Sequence, residues 1–341
     1  MVRADGGQVA FRFETPQCVP MPCPLRLRVL VAVVLTAVAW AAVAPAARAA
    51  VPRFGHVFLI VGENTSYEQI TAGHAPFLTR TVKPRGAWVA NDHSFVTSSS
   101  LGEYVAMVSG QFTRCEAHND LPDHCHQRAP SLFAQLAASG RSWRDWEESM
   151  TNACDPIDSG AAWARNIYSA HHNPALYFSG LQDRRVDEAI APALPCRTND
   201  LPMGTTAPDD TSAFDAALQI GAVGDFNLVV PNDCENGRDS CGTHDRVRQF
   251  DDFLAREVPR IESSPAFASD GTILIAWDEG ADPPRNPGHV LLAALGPLVR
   301  PGAVDRARHD HYGLERTLAE GFGVAPLAHA RHAAAIESIW R

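Results

Sequence analysis

The chain has 341 residues, 45% hydrophobic and 20% charged, with 25 Pro, 24 Gly, 8 Cys and a formal net charge of -10. Those proportions exclude a collagen-like or disordered chain and leave room for one large α/β domain or two average ones. A pI near 5.7 gives no general attraction to nucleic acid or to an anionic membrane, so an anionic ligand must be held by a local site.

Val29 to Ala44 is uncharged and almost wholly apolar, follows Arg26 and Arg28, and leads to Pro45 and the small-x-small pattern Ala47-Arg48-Ala49. This reads as a secretory signal peptide; an uncleaved membrane anchor is the alternative, and the Pro and Ala-x-Ala pattern favours cleavage. Counting from Met21 gives a signal of ordinary length, which makes residues 1–20 an upstream extension. The expected division is therefore 1–49, extension and signal, and 50–341, one catalytic domain. Cleavage after Ala49 removes five Arg and two acidic residues and takes the formal charge from -10 to -13. The product is secreted or extracytoplasmic, and its membrane contact is limited to the signal segment before cleavage.

The same cut removes Cys18 and Cys23 and leaves Cys115, Cys125, Cys154, Cys196, Cys234 and Cys241. An even count in an exported chain suggests disulfides. The favoured pairs are Cys115 with Cys125 and Cys234 with Cys241, which close short loops, and Cys154 with Cys196. Zinc is the alternative, against which no Cys-x-x-Cys pair occurs.

His56 to Val61 (HVFLIV) is a short apolar run ended by Gly62, as in a buried parallel strand; Phe226 to Val230, Thr272 to Trp277 and Val290 to Leu295 read alike. Helical periodicity falls between them at Ser131 to Ala138, Arg246 to Ile261 and Tyr312 to Phe322. Alternation of this kind predicts a layered α/β domain with a mostly parallel sheet. The stretch 115–208, rich in Cys, His, Asn, Pro and Trp, has weaker periodicity and is expected to be a cap or insertion over the sheet edge.

Two strands run straight into acidic clusters: HVFLIV into Gly62-Glu63-Asn64-Thr65-Ser66, and TILIAW into Asp278-Glu279-Gly280. Ligands of open α/β sheets bind beyond the carboxyl ends of strands. Glu63, Asn64, Asp278 and Glu279 thus offer hard oxygen ligands to a divalent cation, or else cap helices and shape turns. Between them, the serine cluster Thr97-Ser98-Ser99-Ser100 opens an apolar helical pattern. A serine there either caps the helix or is an attacking group favoured by the helix N-terminus.

At these residues the sequence resembles phosphoesterases of the acid phosphatase and phospholipase C type, within the alkaline phosphatase superfamily. GENTSYEQI is similar to that group's opening motif, of the form MENxSY, and the serine segment to its nucleophile motif, of the form HPSLPNYLALxSG. WRDWEESM, HHNPALYF, FNLVVPNDCENG, ILIAWDEG, HVLLAALGPLVRPG and HYGLERTLAEGFGV follow in the group's order, so the resemblance spans roughly Arg53 to Leu327. It implies an alkaline-phosphatase-like three-layer sandwich with a mostly parallel central sheet and a Cys-containing cap. It further implies a divalent metal ion, of unnamed identity, on Glu63, Asn64, Ser100, Asp278 and Glu279. Ser100 becomes the nucleophile, with Ser99 and Thr97 as neighbouring candidates, and His289 and His311 face the phosphate and leaving oxygen.

The pattern also departs from the group. Ser98 stands where a histidine is usual, Gly102-Glu103 replaces Pro-Asn, and the histidine expected after the PN motif is replaced by Arg238 or displaced to His244-Asp245. Arg238 and His244 are therefore expected to bind substrate, since guanidinium matches phosphate oxygens bidentately. The expected activity is a secreted, metal-dependent phosphomonoesterase acting on a small phosphate ester or a phospholipid headgroup, with no nucleic-acid partner. A phospholipase C type diesterase and a degraded exported binding protein of the same fold are the alternatives. A sulfatase is disfavoured, because no Cys/Ser-x-Pro-x-Arg context surrounds Ser100.

Overall fold

A computed structural model describes residues 12, 50–95, 99–112, 118–181, 194–242, 244–281 and 288–341. The expected signal segment within 1–49 therefore lies outside the described residues apart from Arg12, as do Thr97, Ser98 and Cys115. Among the described residues no helix is long and apolar enough to cross a membrane.

In chain order the elements are β1 (His56–Gly62), α1 (Lys83–Arg85), β2 (Ala87–His93), α2 (Ser100–Ser109), α3 (Leu132–Ala138), β3 (Trp143–Glu147), α4 (Leu194–Asn199), β4 (Asp200–Pro202), α5 (Ser212–Ile220) and β5 (Phe226–Val230). They continue as α6 (Arg246–Glu262), β6 (Gly271–Trp277), β7 (His289–Leu295), β8 (Ala303–Asp305), β9 (His309–Asp310) and α7 (His311–Phe322). The strands form one sheet in the order β4-β3-β5-β1-β6-β7-β2-β8, with β9 also on β2. Strand β7 runs antiparallel to both neighbours, and the other described pairings are parallel.

Alternate residues of β1 enter different cores, which makes the molecule three layers. Val57, Leu59 and Val61 pack with Leu101, Val105, Leu314 and Leu318 of α2 and α7. Phe58 and Ile60 pack with Phe214 of α5 and with Val247, Phe250, Phe253, Leu254 and Val258 of α6. Each such side chain contributes about 1.5–3 kcal/mol on burial, so α6 is fixed to the sheet by its apolar stripe.

The four apolar runs are strands as expected, and the three periodic segments are α3, α6 and α7. The stretch 115–208, expected as a cap or insertion, also supplies β3 and β4, which form one edge of the sheet itself. Their polarity conceals them: Asp145, Glu147 and Asp200 are buried, and Asp145 sits in register with Asp200. Disulfides join Cys154 to Cys196 and Cys234 to Cys241. Cys125 is disulfide-bonded as well. Oxidation of Cys154 and Cys196 removes the thiolates a zinc site would need, although Asp200 lies close to both sulfurs.

Candidate active site

The register of β1 on β6 places Gly62 opposite Trp277, so the two acidic clusters leave the sheet side by side. Backbone bonds then join the loops: Asp278 N donates to Gly62 O at 3.0 Å and Thr65 N to Glu279 O at 3.1 Å. Gly62 has no room for a side chain, since a Cβ would lie 2.4 Å from the Phe250 ring. Asn64 adopts a left-handed φ of 45°, which asparagine tolerates better than most residues. In that turn its backbone N–H donates to Asp278 Oδ1 at 3.2 Å and its amide to Glu63 Oε2 at 3.3 Å.

Helix α2 begins at Ser100. Ser99 is its N-cap, its hydroxyl accepting from Gly102 N at 3.5 Å. The Ser100 hydroxyl instead donates to Glu63 Oε2 at 3.0 Å. Thus the helix cap and the contact to Glu63 fall on adjacent serines.

Electrostatics in this cluster favour a cation. Glu63 is fully buried, and burial followed by the adjacent Asp278 charge holds its carboxyl well above the usual range. Glu279 is pushed up to about 8 by burial, then by Asp278 and Glu103. Asp278 Oδ2 and Glu279 Oε2 are buried without a hydrogen-bond partner among the described residues. Glu63, Asn64, Ser100, Asp278 and Glu279 supply oxygen donors of the kind a hard divalent ion takes, although the carboxylate oxygens of Glu63, Asp278 and Glu279 do not all lie within 4.8 Å of one another. The donor types therefore match the metal that the motifs imply, and the spacing is wider than a closed site.

His311, the first residue of α7, is buried with both ring nitrogens engaged. Glu103 Oε2 lies 2.8 Å from Nδ1, and Trp277 O lies 3.1 Å from Nε2. Burial opposes its charge, but the hydrogen bond and charge of Glu103 outweigh that and raise the imidazole to about 9. Two acceptors at two nitrogens describe an imidazolium.

Arg238 reaches the cluster through a chain of contacts. Its Nη1 donates to Asp233 Oδ2 at 2.6 Å; Asp233 Oδ1 lies 3.0 Å from His172 Nδ1, and His172 Nε2 lies 3.5 Å from Glu63 Oε1. Burial works to raise the Asp233 carboxyl, yet the His172 charge and hydrogen bond and Arg238 hold it below the ordinary range. Sequence reasoning assigned no role to His172, Asp233 or Glu103. Their signals were present in HHNP, in PNDC and in the glutamate that replaces the motif's asparagine.

Two expected residues are placed elsewhere. His289 opens β7, with Nδ1 2.8 Å from Glu68 Oε1 and Nε2 3.0 Å from Ala90 O, stacked between the rings of Tyr67 and His93. Among the described contacts none joins it to Glu63, Ser100 or Asp278. His244 is exposed, at a φ of 58°, on the wall of a cleft shared with Glu68 and His74.

A sheet in this order, covered on both faces and carrying a serine and carboxylates beyond its strand ends, has the fold of the alkaline phosphatase superfamily. A superfamily protein from Vibrio parahaemolyticus matches with a TM-score of 0.57 at 11% identity, over 80% of this chain and 67% of that one. Murine ectonucleotide pyrophosphatase/phosphodiesterase 5 matches with a TM-score of 0.52 at 9% identity, over 80% and 96%. In sequence, a phosphatidylinositol-3-phosphatase of Mycobacterium tuberculosis is 24% identical over 295 residues, 86% of this chain and 85% of that protein. No protein-family profile matches the chain.

Proposed function

We propose that the chain is an exported, metal-dependent phosphomonoester hydrolase with Ser100 as nucleophile. The observation that carries this reading is the Ser100 hydroxyl 3.0 Å from Glu63 Oε2, inside a buried carboxylate cluster. The M. tuberculosis relative's name supports a phosphomonoester and brings a phospholipid headgroup among the substrates. Disulfides are what an oxidising compartment allows, and the apolar segment 29–44 supplies the route.

Glu63, Asn64, Ser100, Asp278 and Glu279 would hold the metal, which when bound supplies a lowered serine pKa and neutralises phosphoryl charge. The Ser100 proton already faces a carboxylate oxygen, so the hydroxyl is aligned to lose it. As Oγ bonds to phosphorus its proton passes to the facing Glu63 carboxylate, the bond to the leaving oxygen breaks, and that oxygen takes up a proton from water. Water then hydrolyses the phosphoserine and frees phosphate. Arg238, held through one arm by Asp233, offers the other to phosphate oxygens. His311 contributes a fixed positive charge behind Asp278 rather than a proton, because both its nitrogens are engaged.

Purified protein assayed against a phosphomonoester and a phosphodiester, with and without chelation, tests the proposal. It predicts chelator-sensitive turnover of the monoester. Preferential cleavage of the diester, or metal binding without any turnover, would replace it.

A further inference from the structure

Gly102 and Glu103 stand where the nucleophile motif has Pro-Asn, and each meets an aromatic residue. A Cβ on Gly102 would lie 2.0 Å from Phe112 Cζ, so the Phe112 ring lies against the first turn of α2 at a position that leaves room only for glycine. Glu103 Oε1 accepts from Phe95 N at 2.8 Å. The Phe95 ring in turn lies 6.3 Å from that of Phe112 and 4.3 Å from that of Tyr312, which is 5.4 Å from His329. Phe95, Phe112 and Tyr312 are half-buried and His329 is exposed, so the row keeps apolar ring surface in contact with water.

The row borders the Glu63–Ser100 cluster through two side chains. Ser100 and Glu103 are three residues apart on α2, a spacing that makes them neighbours on the helix surface. The second Glu103 oxygen lies 2.8 Å from His311 Nδ1, and the Phe95 ring meets the His311 ring edge-on, 5.6 Å between centroids at 84°. His311 Nε2 faces Trp277 O at 3.1 Å, one residue before Asp278. Phe95 therefore touches both Glu103 and His311, and each of these adjoins a residue of the cluster, Ser100 on one side and Asp278 on the other.

We infer that the row Phe112–Phe95–Tyr312 is the subsite for the alcohol half of the phosphoester, and that it selects an aryl group. The inference rests on the hydrolase reading above. A planar ring set against these residues removes apolar surface from water and makes the offset or edge-on contacts that aromatic rings favour. The Phe95 and Phe112 rings carry no donor or acceptor, so a polyol placed on them would give up water without gaining a partner. Both departures from the motif serve this wall: Gly102 admits Phe112, and Glu103 fixes the backbone of Phe95 beside the residue that attacks phosphorus.

The test compares two ratios in the wild type, Tyr312→Ala and Phe112→Leu, all supplied with divalent ion. One is kcat/KM for 2-naphthyl phosphate over that for phenyl phosphate, whose leaving groups ionise alike and differ by one ring. The other is calorimetric affinity for 2-naphthylphosphonate over that for methylphosphonate, which needs no turnover. The inference predicts that each wild-type ratio is about tenfold, from the added apolar area, and that each variant lowers both about threefold or more while methylphosphonate affinity stays the same. Tyr312 is half-buried and Phe112→Leu keeps an apolar side chain, so both variants are expected to fold, and melting curves check this. Turnover of both esters with ratios that neither variant changes would overturn the subsite and leave the hydrolase reading standing. No turnover of either ester, with a naphthyl preference in binding that the variants lower, would sink the hydrolase reading and keep the subsite.

Discussion

The Ser100 hydroxyl donates to Glu63 Oε2 at 3.0 Å across 37 positions of sequence. Its neighbour Ser99 turns its hydroxyl to the backbone of Gly102. Ser100→Ala is therefore expected to lower kcat by about a thousandfold or more. Ser99→Ala is expected to cost about 0.5–2 kcal/mol of stability with chemistry largely kept. Steady-state kinetics beside denaturant titration of both variants checks the contrast.

The fully buried Asp278 and Glu63 carboxyls repel each other unless a cation or a proton lies between them. Asp278→Asn should abolish the stabilisation that added divalent ion gives the wild type, which reaches about 2.7 kcal/mol at a hundredfold excess over Kd. In chelated samples the same variant should be no less stable than the wild type, because it removes one of two like charges. Thermal melts with and without metal measure both signs.

How much of this was legible in the sequence depended on where each residue's chemistry lay. The strands β1, β5, β6 and β7 were readable because both their faces are apolar. Strands β3 and β4 were not, since Asp145, Glu147 and Asp200 put carboxyls on buried positions where the pattern calls for apolar residues. The reversed direction of β7 was also invisible as hydropathy. It follows from a short connection, residues 278–288, too brief for the helical crossover a parallel partner needs. Glu63, Asn64, Asp278 and Glu279 stood out because they end strands. His172 and Asp233 lie in irregular segments, and only the fold brings them to Glu63.

Glu315 on α7 is buried, and burial raises its carboxyl from the ordinary 4.5 to about 8, against the pull of the Leu327 N–H and Arg331. The folded chain therefore keeps a proton that the unfolded chain has lost. Its contribution to stability is full below about pH 4.5 and disappears as pH rises through about 8. Glu315→Gln should flatten the decline in unfolding free energy between pH 5 and pH 8, as urea titrations at the two pH values would show. An unchanged slope would place the proton elsewhere.

The disulfides Cys154–Cys196 and Cys234–Cys241 close loops of different length, with sequence separations of 42 and 7. In the chain-entropy view, removing Cys154–Cys196 costs about 4 kcal/mol and removing Cys234–Cys241 about 2.5 kcal/mol. The second bridge flanks Asp233 and Arg238, so its loss should raise KM for a phosphomonoester more than the first does. Paired serine variants, compared by melting and by kinetics, separate the two effects.

The account depends most on covalent transfer to Ser100, and trapping that species tests it directly. Protein mixed with a phosphomonoester, quenched in acid and digested should yield the peptide spanning Ser100 with one added phosphoryl group on that residue. Ser100→Ala, treated alike, should yield none. Turnover that proceeds while Ser100 stays unmodified in every quench, or a phosphoryl group found on a different residue, would contradict the account.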